Sequence, residues 1–171
     1  YVTIVRINLS YSISRDCVMV AKLNFRLIIF FLIFFKLQSV LNSQDKMIDI
    51  NLSINQALES YKSKKLKIID IRTHKEWKMT GIIPNSYLIN MHEEDFSENI
   101  NFIKETKKVL DENKEFDVAF ICASGARSKI AANYFTEKNY KNIFHIPEGI
   151  LGKNKDGWLF LGYPIESYKD K

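Results

Sequence analysis

Cys122 is followed by four small residues, Ala123, Ser124, Gly125 and Ala126, and then by Arg127 and Ser128. A thiol in that setting can act as a nucleophile or carry sulfur as a persulfide. A tight small-residue loop that opens a helix points several backbone N–H groups at one spot. Those donors and the positive helix end favour an anion, here a thiolate or persulfide at Cys122. Gly125 supplies the backbone freedom for the turn, and the fork of donors on Arg127 can brace the loop or hold an anionic substrate. The competing reading is a core cysteine beside an ordinary first-turn arginine. Against it, the neighbours are too small to fill a core, and the run Asp117 to Ile121 in front of them reads as a buried strand. Sites in open α/β sheets form beyond the carboxyl ends of such strands.

Other residues able to do chemistry carry less. His74, His92 and His145 are scattered with no second ligand at i+3 or i+4, so no metal site and no cofactor are expected. Trp77 and Trp158 are expected in packing roles, and Glu76, four residues after Arg72, in a modest surface pair. The run Met91 to Asp95 reads as a solvated acidic loop, with docking of a partner as its functional alternative.

The elements that position the cysteine alternate short apolar runs with amphipathic stretches, which argues for an α/β domain around a mainly parallel sheet. Met47 to Ile50 reads as a first strand and Leu66 to Ile71 as a second, fully buried one. Between them Ser53 caps a helix through Lys62, with Ile54, Ala57, Leu58 and Tyr61 as its buried stripe. A short helix from Thr73 to Met79 ends at Gly81, and Tyr87 to Ile89 makes a brief third strand. A longer helix is expected from Ser97 to Glu112, with Ile100, Ile103, Lys107 and Leu110 on one side. After the strand at Asp117 to Ile121, the helix behind the cysteine loop runs to Asn139, and Ile143 to Ile146 forms the fifth strand.

Composition bounds the class. The chain has 171 residues, 46% of them apolar, and only two cysteines, which fits one globular domain plus a short appendage and excludes a disulfide-stapled scaffold. Residues 1–43 hold +4 of the +5 net charge, so the folded part is close to neutral and a nucleic-acid partner is not expected. From Met19, a basic stretch with Lys22 and Arg26 precedes nine apolar residues from Leu27 to Phe35 and a polar run to Ser43. That is how a secretory signal peptide is built. The apolar run spans about 14 Å as a helix, roughly half a bilayer core, so an uncleaved anchor extending to Leu41 is the alternative. The expected organisation is an extension over 1–18, a leader over 19–43 and the folded domain over 44–171. The domain is then exported, periplasmic or secreted, with membrane contact only through an uncleaved leader. Cys122 is its single thiol.

From Met47 to Ile165 the sequence resembles the rhodanese family. The run Ile-Ile-Asp70-Ile-Arg72-Thr-His-Lys-Glu76-Trp77 looks like that family's first signature, and Gly81-Ile-Ile83-Pro84-Asn-Ser86 resembles the segment that follows it. The Cys-x4-Arg loop with Ser128 comes next. Glu148-Gly149-Ile150 and Trp158-x3-Gly162-Tyr163-Pro164-Ile165 are similar to the family's endings. The resemblance implies a rhodanese-like domain, a mainly parallel five-stranded sheet flanked by helices on both faces. It also implies a sulfurtransferase in which Cys122 takes a sulfane sulfur from thiosulfate or a persulfide, protein-borne or small, and passes it to a thiol or cyanide-like acceptor.

On that resemblance residues 123–127 cradle the persulfide, Arg127 and Ser128 belong to the loop, and Asp70 and Arg72 serve structure or the site rim. Relatives with phosphatase or arsenate-reductase activity carry one more residue between cysteine and arginine, and the shorter loop here favours sulfur over a tetrahedral oxyanion. The sequence departs from the family pattern at Ile82, Asn85-Ser86 and Pro147-Glu148, and Leu151 to Gly157 reads as an insertion. These departures keep a second class open, a binding module with an inert or persulfide-sensing cysteine.

Overall fold

The computed structural model describes residues 29–34, 36 and 49–169, and the chain separates after Ile48 into two units. In the first unit residues 29–34 and Lys36 are helical, with the rings of Phe30 and Phe34 stacked 6.4 Å apart. Among the described residues no helix is long and apolar enough to cross a membrane. The expected start at Met19, the remainder of the leader to Ser43 and the extension over 1–18 lie outside the described residues.

The second unit runs α1 (Ile54–Lys62), β1 (Leu66–Asp70), α2 (His74–Thr80), β2 (Tyr87–Leu88), α3 (Phe102–Glu112), β3 (Asp117–Ile121), α4 (Ala126–Glu137), β4 (Ile143–His145). All four strands are parallel, in the order β2-β1-β3-β4. β1 and β3 lie in the middle and are apolar on both faces, as a parallel sheet covered on two sides requires. Successive side chains alternate between two cores. Val118, Phe120 and Cys122 pack with Phe102, Val109 and Leu110 of α3 and Ala131, Ala132 and Phe135 of α4. Ala119 and Ile121 point the other way, into a core with Ile54 and Ala57 of α1, Ile150 and Trp158. Helices therefore cover both faces. The strand order reverses between β1 and β3, and the loops beyond their carboxyl ends open at that switch point.

Two expectations are corrected. Among the described residues the sheet has four strands, not five: of the strand expected over Met47 to Ile50, Met47 and Ile48 lie outside the described residues, and the chain joins β4 by a single parallel bridge at the next residue, Asn51 to His145. Asn51 donates its amide N–H and its side chain to the Asp49 carboxylate, and α1 begins three residues later. The helix expected from Ser97 starts at Phe102, because Asp95 caps Ser97 and a His92 to Glu98 bridge folds this stretch into a tight loop. The buried face of α3 is accordingly Phe102, Thr106, Val109 and Leu110, while Ile100 is 92% exposed.

Candidate functional site

β3 ends at Ile121 and α4 begins at Ala126, so Cys122 to Gly125 turn directly from strand to helix. Gly125 sits at φ +85° as the helix N-cap, and a Cβ placed there would lie 2.0 Å from the Pro147 carbonyl oxygen. Only glycine meets both conditions. On the other side, Ile150 and Leu151 N–H donate to the carbonyls of Cys122 (2.8 Å) and Ala123 (2.9 Å). Gly149 allows that approach, since a Cβ on it would fall 2.6 Å from the Cys122 oxygen. The loop carbonyls are thus tied back to residues 150–152. Among the described residues the amides of Ala123, Ser124 and Gly125 have no hydrogen-bond acceptor, which leaves them as donors for an anion at the cysteine.

Arg127 donates from both terminal nitrogens to Glu76, at 2.8 Å and 2.6 Å. Glu76 also accepts from the Thr73 amide at 2.8 Å and completes the capping box of α2. Arg127 is therefore a brace tying the cysteine loop to the loop after β1. The surface pair expected between Arg72 and Glu76 does not form, because the Arg72 guanidinium turns inward. It meets Asp70 with several bonds of 2.6–3.0 Å and donates to Thr80 and to the Gly81 carbonyl. Asp70 and Arg72 are 0% and 1% exposed, so this pair clamps the end of β1 to the end of α2 and does not open onto solvent.

Burial pushes the Glu76 carboxyl up, but hydrogen bonds from Arg127 and Thr73 and the charges of Arg127 and Arg72 outweigh it and hold the group below its ordinary value. A carboxylate depressed in the folded state adds stability that is complete above the unfolded value, about pH 4.3, and is lost as pH falls through the folded one. Glu76→Gln should therefore cost about 1–2 kcal/mol at pH 7, and urea melts at stepped pH should show wild type and variant converging in acid. A constant gap across that range would assign the loss to packing instead.

Cys122 is 1% exposed, with its sulfur 3.7 Å from the Ser128 hydroxyl. Trp77 and Trp158 are buried packing residues, the latter donating from Nε1 to the Pro164 carbonyl. Arg127, Glu76 and Thr73 line a cleft together with Met79, His92, Glu94 and Phe96, which brings part of the acidic loop beside the brace. Sequence reasoning missed two contacts. Glu76 and Arg127 are 51 residues apart, and His145, taken as one of three scattered histidines, reaches Ser128 at 3.4 Å. The available signal for the second was a polar residue at an inward position of an apolar strand.

A cysteine loop at the switch point of a parallel α/β sheet, closed by an arginine brace, places this domain among cysteine-loop α/β proteins. A profile of the rhodanese-like domain matches residues 53–155, and the chain belongs to that family. It is 37% identical over 95 residues to an uncharacterized protein of Rickettsia prowazekii (strain Madrid E), covering 53% of this chain and 75% of that one. It is 36% identical over 85 residues to the tRNA uridine(34) hydroxylase of Prochlorococcus marinus (strain MIT 9312), covering 49% of this chain and 26% of the hydroxylase. Among solved structures, a protein from M. tuberculosis superposes with a TM-score of 0.56 at 23% identity, covering 69% of this chain and 97% of that one. A rhodanese-related protein from Thermoplasma volcanium superposes with a TM-score of 0.52 at 24% identity, covering 69% and 98%. At those identities the likeness is one of fold.

Proposed function

We propose that this protein is a sulfurtransferase that carries sulfane sulfur as a persulfide on Cys122. The observation that carries this reading is the placement of the thiol at the end of β3, in a four-residue loop where the amides of Ala123, Ser124 and Gly125 lack internal acceptors and whose far end is held by Arg127. In the first half-reaction the Cys122 thiolate attacks the sulfane sulfur of a donor. A new S–S bond forms as the donor's own S–S bond breaks, and with thiosulfate the sulfite leaves with the bonding pair. In the second, an acceptor thiolate or cyanide attacks the outer sulfur and Cys122 leaves as thiolate. The loop amides and the amino end of α4 stabilise the anionic sulfur in both. Arg127, occupied by Glu76, holds the cup in shape. A small donor or a persulfide on a partner protein meets the same requirement.

The intact mass of the purified chain, before and after thiosulfate and again after cyanide, tests this reading. The expected result is a gain of one sulfur that cyanide removes. A folded chain that takes up no sulfur from either thiosulfate or cysteine persulfide would overturn the enzyme and favour a binding module.

A further inference from the structure

Behind the nucleophile a line of side chains leads out of the loop and across the sheet. Ser128 Oγ lies 3.7 Å from Cys122 Sγ, 3.0 Å from the Gly125 carbonyl oxygen and 3.4 Å from His145 Nδ1. His145 Nε2 in turn lies 2.8 Å from Asn51 Oδ1. β4 pairs with β3 so that His145 stands beside Phe120, on the face toward which Cys122 also points. Ser128 and His145 are 0% and 3% exposed, which leaves the imidazole few partners beyond this line.

The tautomer of His145 follows from its outer neighbour. Asn51 Nδ2 lies 2.8 Å from Asp49 Oδ1, and since a carboxylate only accepts, the amide nitrogen of Asn51 must face it. Oδ1 of Asn51 is then turned to the imidazole, Nε2 carries the hydrogen, and Nδ1 of the neutral ring presents its lone pair to Ser128.

We propose that His145 is a positioning residue that receives the Cys122 proton through Ser128 as the sulfur attacks, and returns it when Cys122 is released. The single hydroxyl proton of Ser128, donated to the Gly125 carbonyl at rest, swings toward His145 Nδ1 and passes to it as the S–H bond breaks and a new O–H bond forms on Ser128. The freed electron pair on sulfur makes the bond to the donor's sulfane sulfur, and the donor's leaving group departs with the pair of the broken S–S bond. In the second half-reaction Cys122 recovers its electron pair from the S–S bond that breaks, and the proton retraces its path. No oxidant or reductant enters.

The charges around the ring fit an acceptor. Burial pushes His145 below its usual range, the Lys129 ammonium on α4 pushes the same way, and the Asp49 carboxylate before α1 opposes them. The ring is accordingly neutral near pH 7, the state that can take a proton, and its imidazolium forms opposite the sulfur from which the proton came.

This inference rests on the sulfur-transfer reading, yet it concerns the thiol alone and is tested without sulfur. The rate of Cys122 alkylation by iodoacetamide is followed against pH in the full chain, with Cys122→Ser subtracting any reaction at Cys17. In wild type the rate should rise through the His145 ionisation and then level off. In His145→Asn it should be at least about tenfold slower near pH 6.5, and the gap should narrow in alkali, where hydroxide can take the proton in place of the imidazole. Asn51→Ala, at an exposed position, should shift the profile the same way by about two- to fivefold, and keeps the test open if the buried substitution unfolds the chain.

A variant-to-wild-type ratio that is constant with pH, equal rates, or an inert Cys122 in the folded wild type would each overturn the relay. Sulfur loading is read in parallel. The expected alkylation profile without loading overturns sulfur transfer and leaves the relay standing. Loading with a pH-independent ratio overturns the relay alone.

Discussion

Cys122→Ser should take up no sulfur from thiosulfate and deliver none to cyanide, a fall of at least about a thousandfold, in a chain that still melts cooperatively. The chemical half follows from what the mechanism asks of the atom. The nucleophile must form an S–S bond and later leave as a stable anion, and a serine hydroxyl offers neither at neutral pH. The structural half follows from the surroundings. Cys122 is 1% exposed and packs with Phe120, Ala131 and Phe135, so a hydroxyl there trades a weakly polar group for one that needs a partner. Ser128 is the neighbour that can supply it, its oxygen lying 3.7 Å from the present sulfur.

The expected cost to stability is about 1 kcal/mol, or roughly 4 °C in Tm for a domain of this size. Intact mass and a thermal melt on the same sample check both halves. Transfer retained at more than about a hundredth of wild type would place the reactive sulfur elsewhere, and Cys17 is the only other thiol in the chain. Loss of transfer together with loss of the melt would assign the effect to folding, in which case Cys122→Ala, which needs no hydrogen-bond partner, separates the two.

What the sequence made legible was local. The strand ending at Ile121, four small residues and a helix behind them are consecutive, and periodicity with residue size is enough to place a thiol at a strand end. The capping box of α2 is just as local, since Thr73 and Glu76 are three residues apart, but the sequence reading passed over it. What stayed hidden depends on how separate segments meet. Glu76 was assigned to Arg72 by helical spacing, yet the Asp70 carboxylate lies closer to Arg72 and is fully buried, so it takes the guanidinium and leaves Glu76 to Arg127. Of the expected first strand only Asp49 and Ile50 lie among the described residues, and there Asp49 accepts from the Asn51 amide beside the one bridge to His145. Ile100 was placed on the buried stripe because its spacing suits a helix, but the Asp95 and Ser97 turn takes that stretch out of the helix. At Asp70 and Asp95 a short carboxylate accepts from the backbone N–H two residues on, a local contact that helical spacing does not register.

Gly125→Ala should remove both activity and a large part of the stability, and the two losses have separate causes. The backbone at residue 125 has φ +85° and ψ −16°, a left-handed conformation that costs an alanine about 1 kcal/mol. The added methyl would also stand 2.0 Å from the Pro147 carbonyl oxygen and 2.7 Å from its carbon, and both are backbone atoms of the segment leading to Gly149. That segment cannot retreat freely, because Ile150 and Leu151 are bonded to the carbonyls of Cys122 and Ala123. The strain therefore has two outlets: the domain loses about 2–4 kcal/mol, or the loop shifts and turns its amides away from the sulfur. In either event Ser128, whose hydroxyl is held by the Gly125 carbonyl, loses its anchor beside Cys122. The expected outcome is a fall in Tm of roughly 8–15 °C with at least about a hundredfold loss of sulfur loading in the fraction that remains folded. A thermal melt and single-turnover loading below the transition read the two losses apart. An alanine variant with wild-type loading would mean that the left-handed turn is not needed to aim the loop amides, and the cup would have to be built from the amino end of α4 alone.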